Sequence, residues 1–171
     1  GGEDPAVPGL QPFPPGKMHR KGGDKMKKIA LGSDHGGFYL KELLKQRLEK
    51  EGYAVQDFGC ATPEPAEYPE VAFALAGAVA AEPEGYLCGI LCCGTGIGMS
   101  IAANKVKGVR AALCSDCFSA RMAKEHNDAN VITLGERVTG AELAWEMVKT
   151  FLAAKFQHGI HEPRVRALTE G

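Results

Sequence analysis

The run Cys93-Gly94-Thr95-Gly96-Ile97-Gly98 holds the densest chemistry in the chain. Glycines at alternate positions let backbone N–H groups converge on one point, and a helical pattern follows at once. Such a loop can receive an anion, either a phosphate or an oxyanion formed during a reaction. It can equally be a plain strand-to-helix turn in which glycine only permits positive φ. The spacing departs from the Gly-x-Gly-x-x-Gly dinucleotide fingerprint, and no acidic residue ends the next strand to hold a ribose. Cys93 heads the loop, where a helix N-terminus would stabilise a thiolate, so it is a candidate base or nucleophile.

Asp34 and His35 close another apolar run, inside the glycine-flanked segment Gly32–Gly37. His126 stands at the end of a helical pattern in Glu125-His126-Asn127-Asp128. The carbonyl end of a helix attracts a positive ring, which suits a proton donor. Arg137, Arg164 and Arg166 are candidate phosphate ligands, because the guanidinium fork matches phosphate oxygens. Cys88, Cys92, Cys93, Cys114 and Cys117 hint at zinc. Adjacent residues on a strand point to opposite faces, however, so Cys92 and Cys93 cannot share one ion. No metal is expected. Cys60, Cys88, Cys92, Cys114 and Cys117 read as small buried hydrophobes.

These residues need a scaffold, and 171 residues are enough to bury a sizeable core. The net charge is −1, which favours neither nucleic acid nor a membrane surface as partner. No apolar run reaches the length of a spanning helix. Residues 1–25 contain five of the ten prolines and six of the 22 glycines, without helical or strand period. They are expected to be a disordered extension, with no apolar stretch of the kind a secretory signal needs. Met26 reads as the natural start of the domain, residues 26–171. Reduced thiols fit a cytoplasmic protein.

Within that domain strands and helices alternate. Strands are expected at 28–31, 53–58, 87–92, 109–113 and 130–134. Leu40, Leu43, Leu44 and Leu48 mark a helix with Lys and Glu on its other face, ended by Gly52. Further helices are expected at 70–81, 99–104 and 117–126, then one carrying Ala144, Met147, Val148, Phe151 and Leu152, and a short one at 162–169. Residues 59–68 and 94–98 read as loops. Alternation with helical crossovers predicts a Rossmann-like α/β domain, its parallel sheet covered on both faces. Ligands then sit beyond the carboxyl ends of the strands. Asp34-His35, Cys93–Gly98 and Arg137 fall there.

Gly32–Gly37, Cys93–Gly98 with Ser100-Ile101-Ala102-Ala103-Asn104-Lys105, Glu125–Asn130, and Gly135-Glu136-Arg137-Val138 occur together in this order. The set resembles the ribose-5-phosphate isomerase B family, which includes allose-6-phosphate and galactose-6-phosphate isomerases. The resemblance runs from residue 26 to about residue 168. It implies a three-layer α/β/α sandwich on a five-stranded parallel sheet. It also implies a homodimer or tetramer with active sites at the subunit interface, no cofactor, and aldose–ketose isomerisation of a sugar phosphate. Cys93 would move the proton between C1 and C2. Relatives with a carboxylate base carry it where this chain has Met99. Thr95 would shuttle a proton between the sugar oxygens, and the amides of the run Gly94 to Gly98, those of Gly94, Gly96 and Gly98 included, would hold the enediolate. His126 would open the furanose ring with help from Asp34. His35, Arg137 and Arg164 would bind phosphate, Asn127 would contact substrate, and Tyr68 would line the sugar pocket. One position departs from the family pattern. Ile160 stands where an arginine is usual, with His158, His161 and Arg166 as possible substitutes. The alternatives are a hexose-6-phosphate isomerase, a non-catalytic sugar-phosphate-binding protein of the same fold and, more remotely, a thiol-redox protein using Cys114 and Cys117.

Overall fold

A computed structural model describes residues 26–171. The segment 1–25, with the disorder expected of it, lies outside the described residues. Five strands alternate with helices: β1 Lys28–Ser33, α1 Phe38–Lys50, β2 Ala54–Asp57, α2 Tyr68–Ala81, β3 Tyr86–Cys93, α3 Ile97–Ala103, β4 Ala111–Leu113, α4 Cys117–Glu125, β5 Val131–Gly135, α5 Ala141–Ala153 and α6 Glu162–Glu170. Short 3₁₀ turns at His35–Gly37 and Gly159–His161 lead into α1 and α6.

Every strand pair is parallel, in the order β2-β1-β3-β5-β4. Period-two alternation divides the apolar side chains between two cores. Ile29, Leu31, Cys88, Ile90, Cys92, Ile132 and Leu134 pack under α1, α4 and α5. Ala30, Leu91, Cys93 and Val131 pack under α2 and α3. The result is a three-layer α/β/α sandwich, as expected. Cys92 and Cys93 do face opposite sides of the sheet. Burial drives the Cys92 thiol far up from its ordinary value, and lifts Cys88 to about 12.

Several boundaries differ from expectation. Helix α2 starts at Tyr68 because Pro69 sits in its first turn, where proline needs no hydrogen-bond partner. Helix α3 starts at Ile97, so Gly98 is helical and the glycine loop ends at Gly96. Cys60 and Cys117 are only half-buried. The largest correction is Lys41, which was expected on the solvated face of α1. It is fully buried, with Nζ donating to both Asp57 oxygens at 3.0 Å and to the Cys60 carbonyl at 2.6 Å. Three oxygens from the end of β2 and the turn after it, with the Glu42 carboxylate at 3.1 Å, replace the water the ammonium gave up.

Candidate active site

The chain runs from β1 to one edge of the sheet and returns to β3 on the other side, so the switch point lies between these two strands. Crevices at such points are where open parallel sheets hold ligands. Asp34 and His35 follow β1, and Cys93 ends β3 with Gly94 to Gly96 just beyond it. Close backbone approach draws them together: a Cβ on Gly37 would stand 2.4 Å from the Cys92 carbonyl carbon. The turn after β5 joins the same place. Glu136 N–H donates to the Cys93 carbonyl at 2.9 Å, and Arg137 N–H to the Gly94 carbonyl at 3.0 Å. The Glu136 carboxylate also accepts from the Leu40 amide at 2.6 Å, fixing this turn to the start of α1.

Cys93 is buried, and its sulfur accepts a hydrogen bond from the Gly96 amide at 3.0 Å. Gly96 adopts φ +79°, a left-handed conformation that glycine supplies readily. Its carbonyl accepts from the buried Thr133 hydroxyl at 2.9 Å. The Ile97 amide donates to Thr95 Oγ1 at 3.3 Å. The expected cradle is thereby narrowed. The Gly96 amide is committed to sulfur and the Ile97 amide to a hydroxyl.

Arg137 lies over Gly94, where an added Cβ would meet Nη1 at 3.3 Å. The Tyr68 ring covers Gly98, where a Cβ would be 2.9 Å from Cε2. His35 is exposed, and its Nδ1 accepts from the Ala66 amide at 3.3 Å. The neutral ring then carries its proton on Nε2. Asp34 is 8% exposed, and its Oδ1 caps the 3₁₀ turn by accepting from Gly37 N–H at 3.2 Å. One half of the expected site is therefore assembled: Asp34, His35, Tyr68, Cys93, Gly94, Thr95, Gly96, Gly98 and Arg137.

The other half is elsewhere. His126 caps the C-terminus of α4, and the chain from Asn127 leads into the start of β5. Val131 pairs with Gly89 and Gly135 with Cys93. His126 is thus at least four strand steps, about 13 Å, from the Cys93 end of the sheet. Within one chain Asp34 cannot assist His126, because they occupy opposite ends of the sheet. Arg164 belongs with His126. The Gln157 amide donates to the Glu125 carbonyl at 2.9 Å, fastening the C-terminal segment beside His126. The rings of His126 and His161 stack with centroids 4.2 Å apart and planes 12° from parallel. Burial, then the charges of His126 and Arg164, hold His161 below the ordinary histidine value. Ile160 is 72% exposed.

Arg110 organises this second half, and sequence reasoning missed it. Its Nε donates to the Asn127 and Asp128 carbonyls at 3.2 and 3.0 Å, and Nη1 to Thr169 Oγ1 at 3.1 Å. Nothing in a lone arginine before a short strand distinguishes it from a solvated one. Glu136 was legible only as a neighbour of Arg137. Thr133 had a signal: a single hydroxyl in an apolar strand run.

Residues 29–168 match the family model described as Ribose/Galactose Isomerase. The chain belongs to the ribose/galactose isomerase family. The match is close to full length. The chain is 48% identical over 145 residues to ribose-5-phosphate isomerase B of Escherichia coli K12, covering 84% of this chain and 95% of the relative. It is 44% identical over 144 residues to D-erythrulose-4-phosphate isomerase of Pectobacterium atrosepticum, covering 84% and 93%. The Clostridium thermocellum ribose-5-phosphate isomerase B structure superposes with a TM-score of 0.81 at 50% identity, covering 84% of this chain and 95% of that one. A Mycoplasma genitalium ribose-5-phosphate isomerase B, solved with bound ribulose-5-phosphate, gives 0.80 at 36%, covering 84% and 94%. This kinship supports a sugar-phosphate isomerase activity.

Proposed function

We propose that this protein interconverts ribose 5-phosphate and ribulose 5-phosphate through a cis-enediolate, with Cys93 as the base. The observation that carries this reading is the Cys93 sulfur, held by the Gly96 amide at 3.0 Å beside Arg137 and the glycine loop. Removing a proton from carbon beside a carbonyl develops negative charge on oxygen. A base, an oxyanion cradle and a phosphate anchor are the minimum equipment. The Cys93 thiolate takes the proton from one sugar carbon and returns it to the neighbouring one. The uncommitted amides of Gly94, Thr95 and Gly98 face the enediolate, and the Thr95 hydroxyl passes a proton between the two oxygens. Arg137 and the Nε2 side of His35 hold phosphate.

Ring opening needs an acid, and His126 supplies it from a second copy of the chain. Three features support a homodimeric site. The two half-sites lie at opposite ends of one chain. Tyr68, Thr95, Asn127 and Arg137 are exposed on a single copy. Ile97 and Ile101, one turn apart on α3, are 51% and 58% exposed, with Leu113 and Leu168 also open. Six unpaired thiols fit a cytoplasmic protein.

A coupled assay across ribose 5-phosphate, allose 6-phosphate, galactose 6-phosphate and erythrulose 4-phosphate tests the substrate. The highest kcat/KM should be on ribose 5-phosphate. A tenfold preference for a hexose phosphate would reject the pentose reading. Mixing Cys93→Ala and His126→Ala subunits tests the shared site. Random re-pairing should restore about a quarter of wild-type activity, because half the dimers then hold one intact site. No recovery in verified mixed dimers would place both residues in one chain's site.

A further inference from the structure

We propose that His161 is a positioning residue for His126, holding the ring of the proposed acid in its working orientation by face-to-face stacking. This rests on the isomerase reading above and concerns how its acid is aimed.

The backbone of His126 is firmly placed. Its N–H donates to the Met122 carbonyl at 2.9 Å, and Arg110 holds the next two carbonyls at 3.2 and 3.0 Å. Asp128 adopts φ +44°, with its carboxylate bonded to Lys124 at 2.6 Å and Arg110 at 3.3 Å. These bonds fix the Cα–Cβ direction and leave both side-chain torsions open. Among the described residues no hydrogen bond holds the imidazole. It lies on the His161 ring instead, at 4.2 Å and 12°.

The stacking partner is itself clamped from both sides of His126. Gln157 bonds the backbone of Glu125 at 2.9 Å and its carboxylate at 3.0 Å. Arg110, which grips Asn127 and Asp128, also donates to Thr169 on α6 at 3.1 Å. The segment carrying His161 is thus pinned to the residues just before and just after His126. Two charged imidazoles at this spacing would repel. Burial and the neighbouring charge of Arg164 favour the neutral form of His161. It therefore offers a neutral π face, which either form of His126 can stack on. A proton donor is useful only if its nitrogen meets the ring oxygen within hydrogen-bond reach, and small misplacements cost large factors in rate.

The test compares His161→Ala with His161→Phe, which keeps a flat face without a titrating nitrogen. In ring-labelled full-length protein, the His126 resonances should show an upfield ring-current shift. That shift should vanish in His161→Ala and persist in His161→Phe. In kinetics, His161→Ala should lower kcat on ribose 5-phosphate about tenfold and leave kcat on ribulose 5-phosphate, which has no furanose to open, within about twofold. His161→Phe should recover most of the loss. His126 resonances unmoved by His161→Ala would overturn the stack. A raised KM on both substrates, with kcat unchanged and no rescue by Phe, would overturn the positioning role and make His161 a phosphate ligand. If wild-type protein leaves ribose 5-phosphate untouched, the isomerase reading fails while the resonances still decide the stack.

Discussion

Gly135 is where the end of β5 meets the loop that carries Cys93, so one methyl group there tests how the first half-site is held. A Cβ added to Gly135 would lie 2.7 Å from the carbonyl carbon and oxygen of Thr95 and 2.8 Å from its Cα. Ordinary contact begins at 3.4 Å, so the two backbones must separate by about 0.7 Å. No flexible side chain can absorb this, because all three atoms are main chain. The Glu136–Cys93 and Arg137–Gly94 bonds span the same gap and would stretch with it. Overpacking of this kind costs about 1–3 kcal/mol. For a domain of this size that is a fall in Tm of about 3–10 °C. Misplacement approaching an ångström between base and anchor should cost activity about 30- to 100-fold. A thermal scan and kcat on ribose 5-phosphate read the two effects. Gly77→Ala is the control: nothing lies within 4 Å of its Cβ position inside α2, so stability should rise by about 0.5–1 kcal/mol with activity unchanged. If Gly135→Ala keeps its Tm within a degree and its activity within twofold, close backbone packing does not set this site.

Cys93→Ala should abolish isomerisation while sugar phosphate still binds by calorimetry; activity within a few-fold of wild type would reject the cysteine base. Ile160→Arg should lower KM for ribose 5-phosphate up to about tenfold with kcat nearly unchanged, the worth of one charged hydrogen bond made equally in ground and transition states. A flat or raised KM in a folded variant would mean a remodelled phosphate pocket instead. Asp57→Asn should cost about 3 kcal/mol at pH 7, because it leaves the buried Lys41 ammonium with only the Glu42 carboxylate and the Cys60 carbonyl. Burial pushes the Asp57 carboxyl up, but the Gly59 amide, Lys41 and Lys45 outweigh it and hold the group below the ordinary carboxylate value. A lowered folded value means its stabilisation is complete above the ordinary carboxylate range and is lost as the pH falls through the folded value. Urea melts should therefore show the wild-type advantage shrinking below about pH 4, and a gap that stays constant down to pH 2 would contradict the pairing.

Much of the scaffold is a local property of the chain and could be read directly. Leu40, Leu44 and Leu48 recur at helical spacing, and Ile29, Ala30 and Leu31 alternate between the two cores, because side-chain direction follows backbone period. The glycine loop announced itself the same way, since its conformation is set within a few residues. Lys41 and Arg110 could not be read, because the partners that bury them, Asp57 and Thr169 among them, lie 16 to 59 positions away and a paired cation looks like a solvated one in sequence. Strand order belongs to the tertiary level as well. The pairing of β1 with β3 brings Asp34 beside Cys93, and the pairing of β3 with β5 leaves His126 at the far end of β5. Parallel strands force that separation: residues that enter a strand and residues that leave its neighbour must lie a full strand length apart.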